Sequence, residues 1–399
     1  MKPIAITVPW YGKEIRGGAE QAARYLAHIL KDAGADVEIL TTCVQDATCD
    51  RGKNNLPEGI EDDDGIVVRR FPVKPQILSK LIEANLQIYS GKAVSLKEEW
   101  DYFEEDINSP AMCSFIRENK DNYHAFLFIP YLYGVTFNGV MSCPEKAILI
   151  PCFHDEGYAY MELVRMMSES VKGIIFLSHP EEILANRLFN ISKIPNKVLG
   201  IGIDDGWEDD ADPEAFRNKF DIRSNFVMYA GRKDSGKKVD ELIDYFCKYI
   251  EKNKIDDLKL VLIGGGSVSV PKNHENDIRD LGYVDLEDKR NAYAACTLFV
   301  NPSRFESFSI VIMEAWLARK PVMVSFWCDV TKRFCIESNG GLYYNGFDEF
   351  EKAMHVILDN KDIAEGLGNN GYEFVKKNYS NKVIADKYIG FIKQCIENE

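Results

Sequence analysis

The stretch Asn225–Phe246, NFVMYAGRKDSGKKVDELIDYF, carries the local signals that decide the fold. Its apolar run NFVMYA predicts a buried strand, and VDELIDYF predicts an amphipathic helix. The loop GRKDSGKK lies between them and combines glycines with basic side chains. A strand, a glycine-containing loop and a helix in succession are typical of an α/β domain that binds a phosphate-bearing ligand. The stretch therefore predicts a doubly wound domain with an anion-binding loop.

This loop nearly matches the P-loop pattern of Gly, four residues and then Gly-Lys-Ser/Thr. Gly231, Gly236 and Lys237 fit, but Lys238 stands where the pattern needs a hydroxyl group to coordinate Mg²⁺. The strands LKLVLIGGG and CTLFVNPS also end without the aspartate that would hold the metal. A P-loop NTPase is therefore disfavoured. Arg232 and Lys237 remain as a pair able to clamp a diphosphate without a metal, and a solvated basic turn is the alternative interpretation.

A second element, NPSRFESFSIVIMEAWLARK, contains two glutamates separated by seven residues. Glu306 follows an apolar strand, and Glu314 falls inside a helix predicted to begin near residues 307–309. Amides at a helix start are unpaired and form an anion site. A carboxylate beside them is suited to the vicinal hydroxyls of a ribose or hexose. The alternative is an ordinary amphipathic helix with one solvated and one capping glutamate.

The remaining sequence predicts two series of buried strands alternating with helices. Continuous apolar runs such as IAITVP and KAILIPCF indicate parallel sheets covered on both faces. The polar segment DDGWEDDADPEAFRNKFDI separates the two series, which places a domain boundary after Asp204. We therefore predict two Rossmann-like domains, residues 1–204 and 205–379, with parallel sheets facing across a cleft. The helix over residues 380–399 is free in this scheme to pack back on the first domain.

Composition excludes several classes of function. The chain of 399 residues has a net charge of −15, which argues against a nucleic-acid partner. Its ten cysteines show no zinc-ligand spacing and are predicted to be reduced, buried thiols. No apolar run is long enough for a transmembrane segment. We predict a cytoplasmic protein without a bound metal, and peripheral association with the inner membrane face stays open.

Taken together, these motifs resemble the retaining glycosyltransferases of family 4. The resemblance is carried by Gly231-Arg232, Lys237, Glu306 and Glu314, and it extends over essentially the whole chain, since IRGGAEQAARYLAHIL looks like the N-terminal glycine loop and first helix of that family. It implies the GT-B fold, no cofactor and no metal requirement, and a nucleotide-sugar donor bound mainly by the C-terminal domain.

The resemblance also implies roles for individual residues. Arg232 and Lys237 bind the donor diphosphate and stabilise it as it leaves, while Glu314 holds the ribose hydroxyls. Gly17 and Gly18 allow the N-terminal loop to approach the diphosphate, although a plain strand-to-helix turn is a competing interpretation. The sugar and phosphate are contacted by Glu306 and by the backbone amides of Ser307, Phe308 and Ser309.

His154 follows a predicted strand and lies where family members often carry a functional histidine. A hydrogen bond to a sugar hydroxyl or to the reacting centre is its functional interpretation, and a satisfied core histidine is the alternative. Asp155 and Glu156 orient the histidine, contact acceptor or face solvent. Two departures from the family pattern stand out, because Lys238 and Ser309 occupy positions that are often glycine.

The resemblance implies a metal-independent glycosyltransferase of glycan biosynthesis. It moves a sugar from a UDP- or GDP-sugar to a carbohydrate, lipid-linked or other hydroxyl acceptor, with retention of anomeric configuration. The alternatives are a GT-B-like nucleotide-sugar 2-epimerase, a P-loop-type NTPase and a non-catalytic subunit with the same fold. The sequence identifies neither the sugar, the base nor the acceptor.

Overall fold

The structure is a computed structural model that describes residues 2–13, 15, 17–203 and 211–397. The chain divides into two compact units. Unit 1 comprises Met1–Gly202 and Asn381–Glu399, and unit 2 comprises Ile203–Ser380. The boundary predicted from sequence, after Asp204, lies outside the described residues.

Unit 1 is built on an eight-stranded sheet with helices between its strands. The apolar runs IAITVP and KAILIPCF, which were predicted as buried strands, both form strands of this sheet. Its strands are β1 (Ile4–Thr7), β2 (Val37–Thr42), β3 (Gly59–Asp63), β4 (Ile66–Phe71), β5 (Ala125–Phe128), β6 (Ala147–Leu149), β7 (Gly173–Phe176) and β8 (Asn196–Val198). Its helices are α1 (Gly18–Asp32), α2 (Leu78–Tyr89), α3 (Leu96–Glu105), α4 (Pro110–Asn119), α5 (Gly134–Ser142), α6 (Glu162–Ser170) and α7 (His179–Leu188).

The strand order of this sheet is β3-β4-β2-β1-β5-β6-β7-β8, and every pair except β3–β4 is parallel. The central strands β1, β5 and β7 are buried throughout, which is why they appear in the sequence as unbroken apolar runs. α1 covers one face with Ala22, Leu26, Ile29 and Leu30, the apolar stripe of its sequence.

Unit 2 contains a six-stranded sheet in which all pairs are parallel. Its strands are β9 (Asn225–Ala230), β10 (Leu258–Ile263), β11 (Ile278–Gly282), β12 (Leu298–Asn301), β13 (Val322–Ser325) and β14 (Gly341–Tyr344). Its helices are α8 (Pro213–Phe220), α9 (Val239–Asn253), α10 (Leu286–Ala295), α11 (Ile310–Leu317), α12 (Asp329–Ser338), α13 (Phe347–Leu358) and α14 (Lys361–Tyr379). The strand order is β11-β10-β9-β12-β13-β14.

The last helix of the chain, α15 (Asn381–Glu397), belongs to unit 1 and packs against α1. The hydroxyl group of Tyr388 donates to the carbonyl oxygen of Gly200 at 2.7 Å. This buried contact fixes α15 to the segment near Gly200, where the first part of unit 1 ends.

Each sheet has a topological switch point, where strands that follow in sequence leave in opposite directions. In unit 1 the chain adds β2 on one side of β1 and later adds β5 on the other side of β1. In unit 2 the chain adds β10 on one side of β9 and later adds β12 on the other side of β9. Ligands of doubly wound folds bind outside the carboxyl ends of the strands at such a point. The loops after β1 and β5, and those after β9 and β12, are therefore the places to look for function.

α14 packs closely behind α11, the helix that carries Glu314. A Cβ built on Gly371 would lie 2.0 Å from Cδ1 of Trp316, whose indole is fully buried. We expect Gly371→Ala to destabilise the protein by about 1–3 kcal/mol, because the ring cannot move without disturbing the core. The measurement is urea-induced unfolding.

Gly366→Ala is the matched control on the same helix. Among the described residues no atom lies within 4 Å of a Cβ built on Gly366. Since alanine is the better helix former, Gly366→Ala should stabilise by roughly 0.5–1 kcal/mol. Equal effects of the two substitutions would contradict this packing.

His274 is buried between two carboxylates of unit 2. Its Nε2 lies 2.9 Å from Glu251 and its Nδ1 lies 3.1 Å from Asp277. Burial opposes charge on the ring, but the hydrogen bonds to both carboxylates outweigh it and raise the pKa of His274. Its stabilising contribution is therefore complete below the unfolded-state pKa, about 6.5, and is lost as pH rises through the folded-state pKa.

We accordingly expect His274→Gln to lower the melting temperature at pH 6 by a few degrees and to have a smaller effect at pH 8.5. Thermal unfolding at both pH values measures this. His355→Gln serves as control, because the side chain of His355 is 41% exposed and pairs with the exposed Asp359. A pH-independent effect at His274 would contradict the assignment.

Candidate functional site

The loop after β9 is shaped by Asp234. Its carboxylate accepts from the backbone N–H groups of Gly236 at 3.0 Å and Lys237 at 3.1 Å, which caps a short 3₁₀ turn at Ser235–Lys237. The side chain of Arg232 is 67% exposed, with Nε 3.6 Å from Asp234. This arrangement leaves the guanidinium of Arg232 at the surface, where it can reach a ligand.

Lys237 joins the two loops at the switch point of unit 2. Its Nζ donates to Oε1 of Glu306 at 2.7 Å and lies 3.3 Å from the carbonyl oxygen of Phe305. Asn301, at the end of β12, supports the same carboxylate at 3.4 Å and donates to Oγ of Ser309 at 3.0 Å. The structure thus brings together Lys237 and Glu306, two residues that the resemblance assigns to one donor site. The role of Asn301 was missed, although a polar asparagine at the end of a buried strand indicates a candidate site residue.

α11 begins at Ile310, close to the predicted start, so Glu306 lies in the loop and Glu314 in the helix. Ser307 and Ser309 flank Phe308, whose ring is buried against Phe334 and Tyr379. This packing anchors the turn whose backbone amides are predicted to contact the ligand.

The two departures from the family pattern have positive φ angles. Lys238 has φ 54° and Ser309 has φ 72°, which is the left-handed region where glycine is favoured. A side chain there costs about 1–2 kcal/mol. The hydrogen bond that Ser309 Oγ accepts from Asn301 offsets part of this cost, and nothing in the structure offsets it for Lys238 among the described residues.

Glu314 is buried, with 2% of its side chain exposed. Oε1 accepts from Nζ of Lys289 at 2.7 Å, and Oε2 accepts from the hydroxyl group of Tyr293 at 2.9 Å. Burial, and then the charge of Glu314, raise the pKa of Tyr293 well above its usual value, so this phenol is a hydrogen-bond donor. Both partners come from α10 and were missed, because a lysine in a polar helix reads as a surface residue. A ribose hydroxyl would have to share or replace these donors.

The loop after β10 completes this edge of the sheet. Gly264 has φ 122°, and a Cβ built on it would lie 2.1 Å from the carbonyl oxygen of Gly231. Lys233 is buried and pairs with Asp280 of β11. The hydroxyl group of Tyr229 donates to the carbonyl oxygen of Arg232 at 2.6 Å. These contacts fix the backbone from which Arg232 and Lys237 project.

His154 lies in unit 1, five residues beyond the end of β6. Its Nδ1 is 3.5 Å from Oε1 of Glu156, which also accepts from Tyr131 at 3.2 Å. Asp155 instead pairs with Arg187 at 2.7 Å. Of the two acids considered for orienting the histidine, Glu156 is therefore the one in contact with it.

Glu181 holds the backbone before His154. This buried carboxylate accepts from the N–H groups of Phe153 at 2.8 Å and Leu177 at 2.6 Å. It ties the loop after β6 to the end of β7. Sequence reasoning missed Glu181, since a glutamate in the first turn of a helix normally caps that helix.

The glycines of the N-terminal loop lie at the start of α1. Gly17 is the N-cap residue with φ −85°, and a Cβ on it would meet the carboxylate of Glu20 at 1.8 Å. A Cβ on Gly18 would meet no described atom within 4 Å. A side chain at the first position would displace the carboxylate of Glu20, while the second position leaves open space for a ligand or solvent.

Within the described ranges, one group of side chains has metal-ligand spacing, namely His28, Asp63 and Asp64 in unit 1. Its carboxylates are already paired, because Arg24 contacts Asp63 at 3.0 Å and Lys13 contacts Asp64 at 2.8 Å. These ion pairs account for the cluster without a metal. Over the described part of the chain, no helix combines the length and apolar character of a membrane span.

Residues 224–360 match the family model described as Glycosyl transferases group 1. An uncharacterised glycosyltransferase of Methanocaldococcus jannaschii is 29% identical over 161 residues, which cover 38% of this chain and 44% of the relative. The chain spans about half the length of the curated relatives that it matches.

Solved structures match over the whole chain at low sequence identity. Sucrose-phosphate synthase from Thermosynechococcus elongatus has a TM-score of 0.71 at 17% identity, covering 100% of both chains. HepE of Anabaena, in complex with UDP-glucose, has a TM-score of 0.71 at 15% identity, covering 99% of this chain and 100% of its own. The predicted fold class is confirmed: the chain has the GT-B fold, and its segment 224–360 matches the Glycosyl transferases group 1 model.

Proposed function

We propose that this protein is a metal-independent, retaining glycosyltransferase that uses a nucleoside-diphosphate sugar. The observation that carries the proposal is the contact between Lys237 and Glu306 at the switch point of unit 2, inside the segment that matches the group 1 model. A cation and a carboxylate side by side suit the two ends of a sugar diphosphate, because one binds phosphate and the other binds sugar hydroxyls. UDP-glucose in the HepE structure supports a UDP-sugar as first choice.

The residues of unit 2 receive the roles that the resemblance implies. Arg232 and Lys237 bind the diphosphate, Glu306 and the amides of residues 307–309 bind the sugar and phosphate, and Glu314 holds the ribose. In unit 1, His154 makes a hydrogen bond to a sugar hydroxyl or to the reacting centre, oriented by Glu156. Gly17 and Gly18 let the N-terminal loop approach the diphosphate.

In the reaction, the bond between the anomeric carbon and the diphosphate oxygen breaks, and a bond from that carbon to the acceptor oxygen forms. The acceptor hydroxyl loses its proton to the departing diphosphate, which leaves on the same face of the sugar. Fixed positive charge from Arg232 and Lys237 stabilises the charge that develops on the leaving group. This front-face course gives retention of configuration.

The proposal is tested with a panel of UDP-, GDP- and ADP-sugars. The preferred donor, held near 100 times its Kd, should add about 2.7 kcal/mol of stability in a thermal-shift assay. Transfer to carbohydrate acceptors should then follow and persist in EDTA, and NMR of the first-formed linkage should show retention. Absence of both a donor-induced shift and transfer would sink the proposal.

The alternatives give different results in the same assays. A 2-epimerase converts the nucleotide sugar when no acceptor is present, and an NTPase turns over ATP in the presence of Mg²⁺. Location in the cytoplasm, with or without contact to the inner membrane face, remains part of the proposal. Fractionation of the source cells tests it.

A further inference from the structure

We propose that unit 1 carries a phosphate-binding site centred on the guanidinium of Arg51. The inference rests on the proposed function in one respect only: the phosphate-bearing ligand is taken to be the acceptor of the transfer reaction. Arg51 lies in the loop after β2 and contacts the loops that follow β1 and β5. It therefore sits at the switch point of unit 1, where a doubly wound fold binds its ligand.

The guanidinium of Arg51 lies over two aromatic rings. Its Cζ lies 5.5 Å from the ring centroid of Trp10 and 5.5 Å from that of Tyr133. The two rings meet edge to face with centroids 5.1 Å apart. Trp10 follows β1 and Tyr133 follows β5, so the ring pair spans the switch point. Cation–π contacts with two rings restrict the position of a guanidinium, which favours its recognition of an anion.

A buried acid holds the guanidinium in place. Nη1 of Arg51 donates to Oδ1 of Asp106 at 2.8 Å, and the side chain of Asp106 is 1% exposed while that of Arg51 is 32% exposed. Part of the Arg51 side chain is therefore open to solvent, while the acid that pairs with it is buried. Burial raises the pKa of Asp106, and the charge of Arg51 opposes this shift.

Within the part of the chain that the structure describes, most of the donors on this guanidinium have no hydrogen-bond partner. An arginine has five N–H groups. Only the bond to Asp106 engages them within the described ranges of the chain. A fixed, partly exposed arginine with donors to spare matches the oxygen geometry of a phosphate group.

The same edge carries the histidine that the sequence singled out. Burial, together with the nearby charges of Glu156 and Asp106, raises the pKa of Tyr158 to about 12, and the charge of Arg51 opposes this shift. Tyr158 is thus within electrostatic reach of both Arg51 and Glu156, the partner of His154. An acceptor whose phosphate binds Arg51 would therefore extend along the edge of the sheet that also carries His154.

The test compares glucose 6-phosphate, inorganic phosphate and glucose in a thermal-shift titration of the full chain, without nucleotide sugar. Glucose 6-phosphate should raise the melting temperature saturably, inorganic phosphate should do so more weakly, and glucose should have no effect. Arg51→Lys keeps the charge but loses the planar fork, so its affinity for glucose 6-phosphate should fall at least about tenfold.

Two controls separate this site from others. Arg69 also pairs with an acid, Glu38 at 2.8 Å, and lies over the ring of Phe115 at 4.7 Å with 27% of its side chain exposed. Arg69→Lys should bind glucose 6-phosphate like the wild type. Arg232→Ala should also bind normally, which excludes the diphosphate loop of unit 2 as the source of the shift.

Where Arg51→Lys is too unstable to measure, the double variant Arg51→Gln/Asp106→Asn replaces it, since it leaves no buried charge unpaired. Equal affinity in wild type and the Arg51 variant, or no saturable shift in the wild type, would overturn the proposal. So would binding that is lost in Arg232→Ala and kept in Arg51→Lys. Because no step requires transfer, a failed transferase assay with intact phosphate binding counts against the proposed function alone.

Discussion

Replacing Lys237 by alanine is expected to lower sugar transfer by about a hundredfold or more, and replacing Arg232 should do the same. Each removes one fixed positive group from the place where the diphosphate leaves. Loss of one such donor typically costs about 3 kcal/mol of transition-state stabilisation. Steady-state transfer rates with a saturating donor measure the effect.

The two substitutions should differ in stability. The side chain of Arg232 is 67% exposed, so Arg232→Ala should unfold like the wild type. Lys237→Ala removes the lysine from Glu306, whose side chain is 13% exposed, and should lower stability by about 1–2 kcal/mol. Lys237→Arg keeps the charge and should recover part of the activity.

Lys248→Ala is the control for a general loss of positive charge. Lys248 lies on α9, and its Nζ is 5.1 Å from the ring of Phe347, away from the two loops of the site. Its removal should leave transfer within a few-fold of the wild type. If Arg232→Ala and Lys237→Ala also stayed within a few-fold, the assignment of the diphosphate loop would be wrong.

The central strands of both sheets could be predicted from the sequence because they are buried on both faces. Such strands are unbroken apolar runs, and NFVMYA or KAILIP cannot be mistaken for loops. β3 was missed for the opposite reason, since four residues of GIEDD are exposed. It pairs antiparallel with β4 at the sheet edge, where the ion pair of Arg70 with Glu61 replaces apolar packing.

α8 was missed because its segment is acidic and begins with proline. Asp212 caps the helix by accepting from the N–H groups of Glu214 and Ala215, and Pro213 occupies the first turn. Phe216 is its one fully buried side chain. A helix with a single buried aromatic residue leaves almost no periodic apolar signal in the sequence.

The contacts of the candidate site also fall into two groups, those that the sequence predicts and those that only the structure shows. Lys237 and Glu306 are distant in sequence, and their contact follows from the pairing of β9 with β12, which a βαβ topology makes predictable once both loops are found. Lys289 and Tyr293 are different, because they reach Glu314 through the packing of α10 against α11. No local pattern encodes that packing, so the partners of a buried carboxylate come only from the structure.

The second large effect is expected from removing Lys289, one of these partners of Glu314. Lys289→Met should destabilise the protein by about 3–5 kcal/mol, because among the described residues it leaves the buried carboxylate of Glu314 with Tyr293 as its one hydrogen-bond partner. Urea-induced unfolding measures the change. Lys361→Met is the control, since Lys361 and its partner Glu365 are 86% and 60% exposed and their ion pair should contribute less than about 1 kcal/mol.

The double variant Lys289→Met/Glu314→Gln decides what Glu314 is for. It removes both charges, so most of the lost stability should return. If Glu314 also holds the ribose, the stable double variant should still bind UDP at least about tenfold more weakly than the wild type, and the wild type should bind 2′,3′-dideoxy-UDP equally weakly. If stability and UDP affinity both return, Glu314 serves the core alone, and Lys237 with Glu306 must anchor the donor without it.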